Sequence, residues 1–350
     1  MLKKMNNSVD SGNMFKSIYD FSSNIESAFE IGEKILLNNN YNSINRVVIA
    51  GMGGSAIGGD VVRLLLSSSN NIPITVSRNY NLPSWVDENS LVICSSYSGN
   101  TEETLSSFDD AKNKNSKIIS ISTGGILKDL TNKNELDFIK IPRGLQPRAA
   151  LAFSFVPIVY LLIKIEIIGQ EILEKLKNSL PGLHKARNLY SQDNEDNPTY
   201  NLAHHIFKTF PVIYTQDNAT SIVARRWKGQ LNENSKMLAF SNVLPEMNHN
   251  EIVGWENNPQ LLKKISIIWL IDKDNHKRNI LRMNQTNSLI KNFSANQHFV
   301  ELNGDTYIER NLKFIHFGDW LSYWCAIFHK TDPTPVKKID ILKNKLSESI

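Results

Sequence analysis

Two short stretches hold the residues best suited to chemistry. The first, "VVIAGMGGSAIGGD" at 47–60, runs from an apolar strand pattern into a loop with five glycines. The second, "SSYSGNTEET" at 95–104, follows the apolar run "LVICSS" and offers Ser95, Ser96, Ser98 and Thr101 as hydroxyl donors around Gly99. A helix beginning near Thr101 adds unsatisfied N–H groups and the positive end of its dipole. Neutral hydroxyls, free amides and a helix N-terminus together suit a phosphomonoester. An ordinary turn with Thr101 as N-cap explains only part of the pattern.

Three phosphate ligands compete for the glycine loop. Gly51, Gly53 and Ala56 satisfy G-x-G-x-x-A, as a dinucleotide site requires. The acidic residue expected about 20 positions later is missing, because the next strand ends "VSRNY"; Arg78 leaves room only for a 2′-phosphate. A triphosphate loop ends in Gly-Lys-Ser/Thr, whereas this one ends Gly58-Gly59-Asp60. A sugar phosphate fits best.

The elements around these loops set the fold class. Apolar residues from Phe15 through Phe29 to Leu36 recur at helical spacing, predicting an opening amphipathic helix over about 15–37. Strands are expected at "RVVIAG", "ITVSR", "LVICSS", "KIISIST" and "FIKIP", with helices over 55–67, from Thr101, and over about 149–179. Short apolar strands alternating with helices indicate a parallel sheet covered on both faces. "YSQDNEDNPTYN" at 190–201 reads as a boundary, after which the pattern restarts. Strands are expected at "PVIYT", "KMLAFS", "KISIIWLI" and "QHFVEL", and helices over 219–232, 276–292, 311–330 and at "TPVKKIDILKNKL", with Pro335 in its first turn.

The bulk numbers agree with a two-domain soluble chain. There are 350 residues, 41% of them hydrophobic and 21% charged. The net charge of +4 is spread along the sequence and points to no nucleic acid. The opening residues lack the apolar core of a signal peptide, and "ALAFSFVPIVYLLIKI" is too short and interrupted to span a membrane. Cys94 and Cys325 have neither metal-ligand spacing nor a disulfide pattern, which suits the cytoplasm. No metal constellation is present. The pair His204-His205 reads as helix surface or a packing pair, and Trp320, Trp324 and Phe328 as core or dimer interface.

"GMGGSAIGGD" and "SSYSGNTEET" resemble the sugar isomerase (SIS) domain. "RWKGQLNENSK", "EMNHNEIVGWE" and the terminal "DPTPVKKIDILKNKL" resemble the second SIS domain of the bifunctional phosphoglucose/phosphomannose isomerases. The resemblance implies two flavodoxin-like αβα domains with parallel sheets, at 41–190 and 191–350, after a helical extension at 1–40. It implies cofactor-independent interconversion of glucose 6-phosphate and mannose 6-phosphate with fructose 6-phosphate. Phosphate contacts fall on Ser55, Ser96, Ser98 and Thr101, with Gly53 and Gly54 allowing close backbone approach. Glu233 becomes the base, His249 the ring-opening group, Arg148 the enediolate-stabilising cation and Lys343 the contact near the ring oxygen. It also implies a homodimer in which His249 reaches the neighbouring subunit's site, with the apolar 311–330 helix offered as the interface. Thr331 and Thr334 lie where a small polar residue would leave room for both C2 epimers. A phosphosugar-binding regulator and an isomerase of another phosphosugar stand as alternatives, although no DNA-binding module accompanies the chain.

Overall fold

A computed structural model describes residues 9–66 and 72–348. Expectations falling on residues 1–8, on 67 at the end of one predicted helix, and on 349–350 lie outside the described residues. The chain divides into two compact units, Asp20–Leu180 and Met1–Tyr19 together with Pro181–Ile350.

In chain order, α1 (Met14–Tyr19) and α2 (Phe21–Glu33) precede β1 (Arg46–Ala50), α3 (Gly53–Leu65), β2 (Ile74–Ser77) and β3 (Ser90–Ser95). Then come α4 (Glu102–Asn113), β4 (Lys117–Ser122), α5 (Gly125–Lys133), β5 (Asp137–Lys140), α6 (Leu151–Lys164) and α7 (Glu171–Tyr190). The opening helix is therefore two helices, and Leu36 lies beyond their end, exposed. The five strands of this unit are all parallel in the order β2-β1-β3-β4-β5. All six residues of β3 are buried, so both faces of the sheet are covered, as its unbroken apolar run requires.

The second unit continues with α8 (Pro198–Ile206), β6 (Phe210–Gln216), α9 (Ala219–Glu233) and β7 (Phe240–Leu244). Two 3₁₀ turns (Glu246–His249 and Glu251–Trp255) lead to α10 (Pro259–Leu262), β8 (Ile265–Ile271), α11 (Lys277–Ile290) and β9 (Asn296–Glu301). The helices α12 (Tyr307–Phe328) and α13 (Lys337–Ser347) close the chain. The four strands are again parallel, in the order β7-β6-β8-β9.

Three local readings need correction. The strand expected at "KMLAFS" starts four residues later, because Lys236 adopts φ 57° and the Met237 amide turns back to Leu231. Pro335 lies outside α13, ahead of its N-cap Val336. The third concerns α12. Its apolar face is covered within the chain: Phe15 packs edge-on against Trp320 at 4.9 Å, and Trp227 stacks on Phe317 at 5.2 Å. Tyr200 adds edge contacts with Trp324 and Phe328. That face is core and supplies no dimer interface.

Candidate active site

In the first sheet the chain passes from β1 to β2 on one side and then returns to β3 on the other. The reversal falls between β1 and β3, whose carboxyl ends release the two loops singled out in the sequence. Such a switch point opens a crevice for ligands. Met52 is the N-cap of α3 and Gly53 enters it at φ 49°, a left-handed conformation that favours glycine. Gly54 has a different reason to lack a side chain: a Cβ there would lie 2.5 Å from the Pro147 carbonyl oxygen. The close approach sets the segment carrying Arg148 directly against the glycine loop.

Hydroxyls then tie the loops together. Ser55 Oγ accepts from the Tyr97 amide at 3.2 Å. Ser96 Oγ and Thr101 Oγ1 are 2.8 Å apart, and the Gly99 amide donates to Ser96 Oγ at 3.1 Å. Thr101 occupies the N-cap position of α4, yet its side chain makes no capping bond and turns to Ser96. The α4 amides are thus not consumed by their own cap. Ser98 is exposed, its Oγ accepting from the Asn100 amide at 3.2 Å. Arg148, far from being a surface residue, is only 4% exposed. The arrangement gathers Gly53, Gly54, Ser55, Ser96, Ser98, Thr101 and Arg148 at one sheet edge, with two helix N-termini among them. It can hold a phosphoryl group with neutral donors and one fixed cation.

Neighbouring groups are kept out of the chemistry. Burial pushes the Cys94 thiol up to about 12, so no thiolate forms beside the loop. Arg78 is committed to the buried carboxylate of Asp60, which also faces Arg63 at 3.6 Å. The cation that a 2′-phosphate would have needed is therefore spent inside the protein. Tyr97 was missed in the sequence. Its hydroxyl accepts from the Leu145 amide at 2.9 Å, tying the serine loop to the segment that leads to Arg148. A lone aromatic inside a serine-rich turn gives no pattern from which that link could be read.

The other candidates stand in the second unit. Glu233 is the last residue of α9 and is half-buried. The helix is fixed by a buried pair, Arg226 donating to Asp319 on α12 at 2.8 and 3.0 Å, and by Gln230 donating to the same carboxylate at 2.8 Å. After Glu233 the turn is pinned twice to Ser322: Asn234 Nδ2 donates to its hydroxyl at 3.0 Å, and Ser235 Oγ donates to its carbonyl at 2.6 Å. Lys236 Nζ closes over the turn, donating to the carbonyls of Glu233 and Pro333 at 2.5 and 3.1 Å. The motif "QLNENSK" is mostly scaffold around one half-buried carboxylate.

His249 ends the first 3₁₀ turn and is exposed. Two residues of its motif, Met247 and Trp255, are buried. Met247 and Trp255 join the core beneath β6, Trp255 Nε1 donates to the Tyr214 hydroxyl at 3.2 Å, and Tyr214 and Asn242 both donate to Glu251. Lys343 lies on α13, none of whose residues is buried. Glu233, His249 and Lys343 thus occupy a helix end, a 3₁₀ turn and the final helix. Thr334 packs its methyl against Gly12, where a Cβ would lie 2.4 Å away, and the Thr331 hydroxyl donates to the His329 carbonyl at 3.3 Å.

The second sheet's own switch point, between β6 and β8, is differently furnished. Thr215 and Thr220 hydroxyls face each other at 2.5 Å, and the loop after β8 carries Asp272 and Asp274, both bound to the buried Arg310. Carboxylates at this edge suit a phosphate less well than the hydroxyls and glycine amides of the first sheet.

Residues 41–131 match the SIS domain model, and residues 195–346 match the bacterial phospho-glucose isomerase C-terminal SIS domain. Over 337 residues the chain is 44% identical to a bifunctional phosphoglucose/phosphomannose isomerase of Caldicellulosiruptor bescii, covering 96% of this chain and 99% of that protein. A protein of the same description from Aquifex aeolicus is 36% identical over 86% of this chain and 90% of its own length. Among solved structures, the C-terminal domain of glucosamine-fructose-6-phosphate aminotransferase from Francisella tularensis aligns with a TM-score of 0.72 at 17% identity, covering 91% of this chain and 97% of that one. At that identity the likeness concerns the fold alone.

Proposed function

The chain belongs to the bifunctional phosphoglucose/phosphomannose isomerase family, and from that premise we propose that it interconverts glucose 6-phosphate and mannose 6-phosphate with fructose 6-phosphate. The observation that carries the reading is the 44% identity sustained over 96% of the chain. The furnishing of the first sheet edge with hydroxyls, glycine amides and Arg148 supports it independently.

In this reading the phosphate is anchored by Ser55, Ser96, Ser98, Thr101 and the amides at Gly53 and Gly54. His249 moves the proton between the ring oxygen and the C1 hydroxyl as the pyranose opens, and Lys343 steadies that oxygen. The Glu233 carboxylate then takes the proton from C2, leaving a cis-enediolate whose negative oxygen Arg148 stabilises, and returns it to C1 while the proton of the O2 hydroxyl passes to O1. Glucose and mannose derivatives differ only at C2 and give the same enediol, and turning the C2–C3 bond before reprotonation presents its other face to the base. One base therefore serves both epimers. No electron leaves the sugar, so the reaction balances without a cofactor.

We also propose that the active species is a homodimer in which His249 acts on the partner's substrate; its exposed position on a short turn is compatible with that. The cytoplasm is the proposed compartment, supported by two buried free thiols.

The test is a coupled assay offering glucose 6-phosphate and mannose 6-phosphate separately and reading fructose 6-phosphate. Turnover of both supports the proposal, turnover of one removes the dual specificity, and binding without turnover points to a regulator. Glu233→Gln is expected to lower kcat by about 10³-fold or more while leaving sugar-phosphate binding nearly intact. Activity within a few-fold of the parent would exclude Glu233 as the base.

A further inference from the structure

Beside the serine loop, and within the same unit, lies an open pocket of about 530 Å³ that the proposed reaction does not use. Its walls come from the end of β4 and start of α5 (Thr123, Gly124, Gly125, Lys128, Asp129) and from the segment after β5 (Lys140, Arg143). Three cations and one carboxylate therefore face a single concavity. Among the described residues none of the four is in an ion pair.

One wall of the pocket is fixed by the backbone beside it. Arg143 is held across the turn: its Nε donates to the Thr123 carbonyl at 3.2 Å, and its Nη2 lies where a Cβ of Gly124 would be, 2.5 Å away. Only glycine, at φ 147°, lets the guanidinium lie there. Thr123 lines the pocket and adds a hydroxyl to the three cations. Guanidinium, two ammonium groups and a hydroxyl donor are the donor set of a phosphoryl anion.

We propose that this pocket is a second anion site, taking a small soluble phosphorylated compound with two or more negative charges, distinct from the phosphate loop of the proposed active site. Its position couples it to that loop. The Leu127 amide of α5 donates to the Gly99 carbonyl at 2.9 Å, the Ile126 amide donates to Asn100 Oδ1 at 2.9 Å, and the Thr123 amide donates to the Tyr97 carbonyl at 3.0 Å. An anion that draws Thr123 and α5 toward Arg143 shifts the backbone that carries Ser96, Ser98 and Thr101. The pocket is thus placed to alter sugar-phosphate affinity, and its existence does not depend on the isomerase reading.

The probe is inorganic pyrophosphate, titrated calorimetrically into the full chain at fixed ionic strength. Two classes of site are expected in the parent. Lys128→Ala/Lys140→Ala should weaken one class at least tenfold and leave the other, while Ser96→Ala/Thr101→Ala should do the reverse. If the latter variant fails to fold, the parent saturated with glucose 6-phosphate replaces it, and the remaining pyrophosphate site should still vanish in Lys128→Ala/Lys140→Ala. Two undiminished classes of site in the lysine variant, a single class in the parent, or equal displacement by chloride at matched ionic strength would each overturn the proposal. Loss of isomerase activity in every protein, with the lysine-dependent site intact, would sink the isomerase reading and leave this one standing.

Discussion

At the residue scale, the proposed phosphate loops depend on glycines that leave the backbone open to close approach. Gly54 illustrates the constraint from the protein side: the Pro147 carbonyl already occupies the space of a side chain. Gly54→Ala is therefore expected to push the 145–148 segment and Arg148 away from the loop. Because Arg148 is assigned both to phosphate proximity and to enediolate stabilisation, KM for glucose 6-phosphate should rise and kcat should fall, together by about 10²-fold in kcat/KM. Steady-state kinetics at several substrate concentrations checks this; an unchanged KM would show that the Pro147 contact does not position Arg148. The glycines and hydroxyls were legible in the sequence because their types carry the chemistry. Arg148's burial and the Tyr97 hydroxyl's link to Leu145 were not, since both depend on which segment folds back over the loop.

At the element scale, the strands announced themselves and some helices did not. "LVICSS" and "KISIIWLI" are unbroken apolar runs because sheets covered on both faces demand it. The helix α8 was hidden inside a stretch read as a polar boundary. Its signal was present as Asn197-Pro198: Asn197 Oδ1 accepts from the Thr199 and Tyr200 amides at 2.9 and 3.3 Å, and Pro198 sits at the first helical position. The apolar α12 was legible as a helix but not in its partner, because a helix apolar all round can bury itself in its own chain or in another. Its packing on α9 matters for the proposed chemistry, since Glu233 is the last residue of α9. Asp319→Ala would leave Arg226 buried without its carboxylate and remove the acceptor of Gln230, at a cost of about 3–5 kcal/mol. The expected outcome is a marked drop in melting temperature together with a fall in kcat. Restoring stability with the double change Arg226→Met/Asp319→Leu, which removes both charges, should recover the fold more than the activity. If Asp319→Ala melts like the parent, the pair does not anchor α9.

At the scale of the whole molecule, the proposed function has His249 acting on the partner's substrate. That last assignment makes a prediction independent of any single contact. Glu233→Gln and His249→Ala should each be inactive alone. When the two proteins are unfolded together and refolded, or exchange subunits at equilibrium, heterodimers form. In a heterodimer one site carries both substitutions and is doubly disabled, while the other combines an intact Glu233 from one subunit with an intact His249 from its partner. With random assortment half the dimers are mixed and each carries one working site, so activity should return to about a quarter of the parent level. If both groups came from the same subunit, every site in every dimer would lack one of them and mixing would restore nothing. The two unmixed variants, assayed at the same total concentration, separate complementation from a trace of contaminating parent enzyme, whose contribution would be the same before and after mixing.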